Sequence, residues 1–412
     1  MRRVSRRALR AVRLSRCAQR LARLAVCTEF TLHAASAILS PVSARHCYFF
    51  AGGGTGGHLT PGLAVAAELR HHDADCRIIF VGSQRPLEKR LVAAEGHEHV
   101  DLTVESSETL RRNPFRFAWR NWGAFRRALS LIENERARAV IGLGGFASVP
   151  AVLAATRRKI PALILEQNAI PGRATRFLAR RVAAVCTAFE ESARRLPAGL
   201  RVENTGNPVR AAIAALHQDQ PDRGAAAQPT LLVLGGSQGA ESLNDATIAM
   251  HLKKLPQLAG WKIVHQTGVV QCELVAAACR AAGIDHVVRP FFDDLPEWYS
   301  RATLVLSRAG ATTLAELACA GCPAILVPYP HAADNHQLAN ARAYEAAGAA
   351  VVVQHGLNSP DTSDWLTSAI SAVAADEARQ TSMRQAMRRL ARPDAARQVV
   401  AVLQSLTAGS IN

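Results

Sequence analysis

Three short apolar runs, each broken by a glycine-rich turn that leads into a helical pattern, restrict this chain to a parallel α/β fold. The first is Cys47-Tyr48-Phe49-Phe50-Ala51, followed by Gly52-Gly53-Gly54-Thr55-Gly56-Gly57-His58. The second is Ala139-Val140-Ile141 into Gly142-Leu143-Gly144-Gly145, and the third is Leu231-Leu232-Val233-Leu234 into Gly235-Gly236-Ser237-Gln238-Gly239. Strand, glycine turn and helix make the unit of a doubly wound sheet, and the turn lets backbone amides approach a phosphate at a helix N-terminus. Such turns in both halves of one chain predict two Rossmann-like domains with parallel sheets facing a cleft, and phosphorylated ligands between them.

The intervening segments keep the same rhythm. Thr60-Pro61 reads as a helix cap followed by proline at the first helical position. Further strands are expected at 77–82, 100–104, 161–165 and 182–186, with a basic amphipathic helix over 115–138. Residues 218–229 are polar and carry Gly and Pro, which marks a surface linker. The second half places strands at 230–234, 262–265, 287–288, 303–306 and 324–327 and closing helices over 383–408. Alternating β and α elements argue for parallel sheets, with ligands at the carboxyl ends of the strands.

A chain of 412 residues exceeds one ordinary core and fits two domains. Its 49% apolar and 5% aromatic content suits α/β layers better than a β-sandwich. The nine cysteines are odd in number and scattered, which fits a reducing compartment rather than a disulfide scaffold. Cys319-Ala320-Gly321-Cys322 lacks the second pair that a zinc site needs, so no metal is assigned.

The net charge of +16 is unevenly spread. Residues 1–45 hold ten arginines, no lysine and one acid, Glu29, for a net +9. The rest carries 39 basic and 32 acidic residues, +7, which favours anionic partners. Nucleic acid is the weaker choice among them, because no recognition motif accompanies the basic clusters. The first 45 residues admit three readings: a signal peptide, an interfacial helix, or translation from a mis-assigned start. No other stretch approaches the ~20 uninterrupted apolar residues of a membrane span.

Gly52, Gly54 and Gly57 satisfy GxGxxG between a strand and a helix. A nicotinamide enzyme would place an acid for the ribose at the end of the next strand. That strand ends Gly82-Ser83-Gln84, with no acid before Glu88. The phosphate-cradling reading therefore stands over the nicotinamide one. His58 borders the turn and suits general-base work, although a lone histidine is also compatible with a structural role. Glu316 sits in the first turns of a helix opening near Thr312, where an acid either complements the dipole or binds a ribose. Asp334, Asn335, His336, Gln337 and Asn340 cluster groups suited to sugar hydroxyls or to an ordinary cap.

Residues 110–127 concentrate Phe115, Phe117, Trp119, Trp122 and Phe125 among six arginines, Arg116 and Arg120 included, with no acid. Aromatics with interleaved arginines are the makings of a membrane-surface helix. The alternative is an amphipathic helix whose aromatics pack on its own domain.

Together these motifs resemble the MurG family of UDP-N-acetylglucosamine:undecaprenyl-pyrophosphoryl-muramyl-pentapeptide N-acetylglucosaminyltransferases. The matching stretches are GGGTGGHLTPGLAVA (52–66), GLGGFASVPA (142–151), LEQNAIPG (165–172), GNPVR (206–210), LVLGGSQGA (232–240), SRAGATTLAE (307–316) and HQLANA (336–341). The sequence departs from the family pattern at Val149, Leu165 and His336, where the family often has glycine, histidine and glutamine. Residues 1–45 have no family counterpart.

The resemblance implies the glycosyltransferase B arrangement. Residues 46–206 would form the acceptor and membrane domain, 207–229 a linker region, and 230–412 the UDP-sugar-binding domain with its closing helices. Thr55, Gly56, Gly57 and Asn168 would reach the donor's sugar, while Arg210, Ser237, Gln238 and Phe292 would line the nucleotide side. Gly310, Ala311, Thr312, Thr313, Leu314 and Ala315 would set a helix N-terminus on the diphosphate, with Glu316 on the ribose. His336, Gln337 and Asn340 would meet the N-acetylglucosamine. Gly53, Gly54, Gly144 and Gly145 would face the acceptor pyrophosphate, with His58 as base. No cofactor is implied.

The activity implied is inverting transfer of N-acetylglucosamine to the 4-hydroxyl of the lipid-linked muramyl-pentapeptide, at the cytoplasmic face of the bacterial inner membrane. A transferase acting on another lipid, such as diacylglycerol, a nicotinamide oxidoreductase and a non-catalytic nucleotide-sugar-binding protein are the alternatives.

Overall fold

The computed structural model describes residues 46–408, apart from 54–55, 106–108, 110–111, 219–227, 236–239, 254 and 355–360. Gly54, Thr55, Ser237 and Gln238 therefore lie outside the described residues, as do residues 1–45 and 219–227 of the expected linker region.

Two parallel sheets carry the chain. The first has seven strands, β1 (Cys47–Gly52), β2 (Arg77–Gly82), β3 (Glu98–Asp101), β4 (Ala137–Gly144), β5 (Ala162–Glu166), β6 (Ala184–Thr187) and β7 (Val202–Glu203), in the order β3-β2-β1-β4-β5-β6-β7. The second has six, β8 (Thr230–Leu234), β9 (Lys262–Gln266), β10 (His286–Arg289), β11 (Leu304–Ser307), β12 (Ala324–Leu326) and β13 (Ala350–Val352), in the order β10-β9-β8-β11-β12-β13. Both sheets are covered on both faces, so central strands such as β1, β5, β8 and β11 are buried along their whole length rather than on alternate residues. In β1, Phe49 and Ala51 pack toward the helices Pro114–Asn134 and Val149–Arg157, while Tyr48 and Phe50 pack toward the helix Gly56–His72. Phe50 pairs in register with Phe80 of the neighbouring strand, and their rings stack at 5.0 Å.

Both sheets reverse their strand order at one point, between β1 and β4 in the first and between β8 and β11 in the second. The glycine turns after β1 and β4, and the turn after β11, lie at these carboxyl ends, where a doubly wound sheet opens a crevice for ligand.

Several sequence boundaries shift. The first helix starts at Gly56, so Thr60 is no cap and Pro61 lies inside the helix. The third strand is Glu98–Asp101 rather than 100–104. Within the expected linker, Val209 and Ile213 are buried in the core around the second sheet. The last helix, Ala395–Ala408, does not stay with the second sheet: Val399, Val400, Val402 and Leu403 join the core of the first. Its apolar spacing announced a packed face but not which sheet would receive it. The returning chain passes Gly206, where an added Cβ would lie 2.5 Å from the Cβ of Arg392.

Candidate active site

The turn after β1 meets the turn after β4 directly, since Gly52 pairs in register with Gly144. Gly53 is buried, and Gly144 and Gly145 both adopt positive φ. His58 is the third residue of the helix Gly56–His72 and is half-buried. Its Nδ1 lies 2.9 Å from Oε1 of Gln167, at the end of β5. Gln167 in turn donates from Nε2 to the Leu143 carbonyl at 3.0 Å. Nε2 of His58 has no hydrogen bond among the described residues.

Opposite lies the helix Ala311–Ala320. Gly310 occupies its N-cap position with extended backbone and supplies no side-chain cap, so the first-turn amides have no capping acceptor. Ala311 and Leu314 point into the core and Thr313 and Ala315 are half-buried, so this turn offers a ligand mainly its backbone. An uncapped helix N-terminus of this kind attracts anions. Glu316 follows within the helix and is 6% exposed. Tyr299 donates its hydroxyl to Oε2 at 2.9 Å, and the Arg210 guanidinium stands 4.0 Å from Oε1. Burial pushes the Glu316 carboxyl above its ordinary range, and Arg210 and the Tyr299 hydrogen bond pull it back. The Arg210 Nε has no partner although it is buried. This leaves a carboxylate and a guanidinium side by side, beneath a helix N-terminus.

Contacts at Thr312, Asn340 and Asp334 tie the halves together across the cleft. Thr312 donates its hydroxyl to the Gly57 carbonyl at 2.7 Å and accepts from Asn207 Nδ2 at 3.3 Å. Asn340, fully buried, accepts from the Ala169 amide at 2.8 Å and donates to Asn168 Oδ1 and the Ala309 carbonyl. Arg176 reaches Asp334 at 2.7 Å.

Two expected ligand residues thus carry other work. Every polar atom of the Asn340 amide has a protein partner, so it fastens the two halves together. The Phe292 ring is 1% exposed and packs edge-on against Trp298 at 5.8 Å, so it belongs to the core and cannot line the nucleotide with its ring. His336 and Gln337 stay half-buried at the cleft, with Gln337 Oε1 accepting from the Tyr329 amide at 2.9 Å and His336 Nδ1 at 2.7 Å from the Ala333 carbonyl. Asn168 is half-buried and shares Asn340 with Ala169. Gly56 is half-buried and Gly57 exposed at the rim.

The expected membrane helix is Pro114–Asn134, capped by Asn113, whose side chain accepts from the Arg116 amide. Phe115, Trp119 and Trp122 are 87%, 75% and 61% exposed, and Phe117 is half-buried. Arg116 and Arg120 both reach Glu105 at 3.1 Å, an acid just outside the segment that folds back and offsets part of its charge. An apolar groove of about 830 Å³ runs beside this helix, floored by Phe117, Phe125, Phe146 and Leu153 and edged by Arg157, Arg173 and Arg181. No helix among the described residues is long and apolar enough to cross a membrane.

Sequence reasoning gave Glu166 and Gln167 no role beyond their place in the stretch LEQNAIPG (165–172). Glu166 accepts from the amides of Asn168 and Gly172, which shapes the loop carrying Asn168. It also misplaced Glu88. The side chain comes from the next helix, Pro86–Ala94, accepts from the Ser83 hydroxyl at 2.6 Å and is 4% exposed. Its Oε1 would lie 2.0 Å from a Cβ at Gly53 and 1.7 Å from one at Gly82. An acid therefore does stand at the end of β2 (Arg77–Gly82), but it is buried and engaged with Ser83, and it requires glycine at both positions.

Comparison with known proteins agrees with this geometry. The glycosyltransferase family 28 N-terminal domain matches residues 48–187 and its C-terminal domain matches 230–399. The UDP-N-acetylglucosamine--N-acetylmuramyl-(pentapeptide) pyrophosphoryl-undecaprenol N-acetylglucosamine transferase of Anaeromyxobacter sp. (strain Fw109-5) is 40% identical over 366 residues, covering 86% of this chain and 92% of its own. The crystal structure of Acinetobacter baumannii MurG superimposes with a TM-score of 0.70 at 30% identity, over 88% of this chain and 99% of that one. A calicheamicin glycosyltransferase at 18% identity and TM-score 0.64, covering 89% and 100%, shows the glycosyltransferase B fold alone. The chain belongs to glycosyltransferase family 28, in its MurG group.

Proposed function

We propose that this protein transfers N-acetylglucosamine from UDP-N-acetylglucosamine to the 4-hydroxyl of undecaprenyl-pyrophosphoryl-muramyl-pentapeptide, with inversion at the anomeric carbon. What supports this reading most is one contact. The hydrogen bond from Thr312 to Gly57 sets the uncapped helix N-terminus beside the first turn of the helix that carries His58. A leaving-group site and a proton acceptor then share one cleft.

In this reading Glu316 takes the ribose hydroxyls in place of Arg210, and the freed guanidinium turns to the diphosphate. His336 and Gln337 address the sugar, and the turns at Gly53, Gly144 and Gly145 address the acceptor pyrophosphate. His58 Nε2 removes the proton of the 4-hydroxyl as that oxygen bonds to the anomeric carbon. The bond to the diphosphate breaks, and UDP leaves with its electron pair. The amides of Ala311, Thr312 and Thr313 and the Arg210 charge stabilise the negative charge gathering on the diphosphate.

The acceptor's prenyl tail must stay in the bilayer, since each methylene brought into water costs about 0.8 kcal/mol. The protein therefore docks peripherally, on the cytoplasmic face of the membrane, through Phe115, Phe117, Trp119 and Trp122, with Arg116 and Arg120 nearest the headgroups.

UDP release from UDP-N-acetylglucosamine tests this reading. Release that begins only on adding the muramyl-pentapeptide lipid supports it. Release with diacylglycerol in its place selects the other-lipid transferase, and tight UDP binding without turnover on any acceptor selects a binding protein.

A further inference from the structure

We propose that Gln167 is a positioning residue for His58. It holds the imidazole as the Nδ1–H tautomer and keeps the Nε2 lone pair free to accept a proton. The proposal rests on the reading of His58 as the base, and adds the group that makes it one.

The orientation of the Gln167 amide follows from its two partners. The Leu143 carbonyl can only accept, so the end of the amide 3.0 Å from it is the NH2. The other end, 2.9 Å from His58 Nδ1, is then the carbonyl oxygen. An amide oxygen can only accept, so Nδ1 carries the proton. A neutral imidazole has one N–H, which leaves Nε2 as the acceptor.

The frame behind this contact is stiff. Gln167 is 3% exposed and follows β5 directly, while Leu143 lies within β4, the adjacent strand. Glu166 ties the next loop down through Asn168 and Gly172. The same edge of the imidazole lies against Gly144, where an added Cβ would stand 3.0 Å from Nδ1, 3.2 Å from Cε1 and 3.5 Å from Gln167 Oε1. Glycine at 144 therefore leaves room for the contact between the ring and the fixed amide. Without the Gln167 carbonyl the ring proton is free to move to Nε2, and the imidazole then has no lone pair there.

The Gln167→Leu and Gln167→Glu variants of the full chain test this, with 15N spectra of histidine-labelled native protein. His58 is assigned by the resonances lost in His58→Ala. The native spectrum should show a protonated Nδ1 and an unprotonated Nε2 at neutral pH. In Gln167→Leu, kcat should fall about 10- to 100-fold with donor KM within about 3-fold, and His58 should show mixed tautomers. In Gln167→Glu the carboxylate favours the imidazolium, so the acid limb of the kcat/KM profile should move up by about one pH unit.

A native spectrum with the proton on Nε2 overturns the proposal without any variant. So does a Gln167→Leu protein that folds and turns over normally while His58→Ala is inactive. If His58→Ala itself turns over normally, the base assignment fails, and the native tautomer reports on Gln167 separately.

Discussion

Thr312 donates its hydroxyl to the carbonyl of Gly57 at 2.7 Å, on the opposite wall of the cleft. The acceptor is available because of Pro61. In a regular helix the Gly57 carbonyl would take the N–H of the residue four positions on, and Pro61 has none. A proline that reads as a helix start thus works inside the helix, by turning one carbonyl outward to the second domain.

This closure rests even more on Asn340. In Asn340→Ala the buried Ala169 amide and Ala309 carbonyl lose their partner, at about 1–3 kcal/mol each. Urea unfolding should show a loss of roughly 2–4 kcal/mol, and turnover should fall as the walls separate. Native stability in this variant would show that the clasp contributes nothing.

Glu316→Ala should weaken UDP binding by about 1–3 kcal/mol by calorimetry, since a buried acceptor for the ribose hydroxyls is removed. The pH dependence adds a second check. Burial raises the carboxyl pKa, so native UDP affinity should decline with acidification at a pH above the usual carboxylate range. Glu316→Gln should lack that limb. Equal UDP affinity in all three proteins would reduce Glu316 to a helix residue held by Tyr299.

Vesicles test the docking face. Phe117, Trp119 and Trp122 changed together to Ser should abolish most binding to anionic liposomes and spare turnover of a short-chain soluble acceptor. Native binding should weaken with salt, although modestly, because Glu105 offsets Arg116 and Arg120. A chain beginning at Ser43 should bind like the full one. Binding that survives the triple change but disappears with residues 1–45 would move the anchor to the extension.

Acid should unfold the protein through two buried histidines. Burial lowers His251 to about 4 and His265 to about 3, from 6.5. Both folded values lie below the unfolded one, so their contribution is complete above pH ~6.5 and is lost as pH falls through about 4 for His251 and about 3 for His265. Each should cost on the order of 1 kcal/mol per pH unit in that window. Urea midpoints at pH 7.5, 6 and 5 measure it, and His265→Gln should flatten the slope. Equal stability at all three pH values would contradict this account.

Much of the fold was legible because buried parallel strands announce themselves twice, by an apolar run and by the glycine turn that ends it. Both sheets and the segments around His58 and Glu316 follow from that signal. What stayed hidden was long-range pairing. Nothing local to Asn340 distinguishes a sugar ligand from a clasp on Ala169, 171 positions away. Phe292 carries no mark of facing inward, and Gln167 acquires a role only when β4 and β5 lie together. Glu88 shows the same limit, because a helix returns its carboxylate to a strand end that looked empty.

The bond that is made tests the central claim most directly. UDP-N-acetylglucosamine labelled with 13C in the sugar is incubated with a short-chain pyrophosphoryl-muramyl-pentapeptide, and the product is read by NMR. The account predicts a β-linked disaccharide on the 4-hydroxyl, formed with one UDP per disaccharide, because a single displacement inverts the α-linked donor. An α-linked product, or UDP released without any disaccharide, would contradict it.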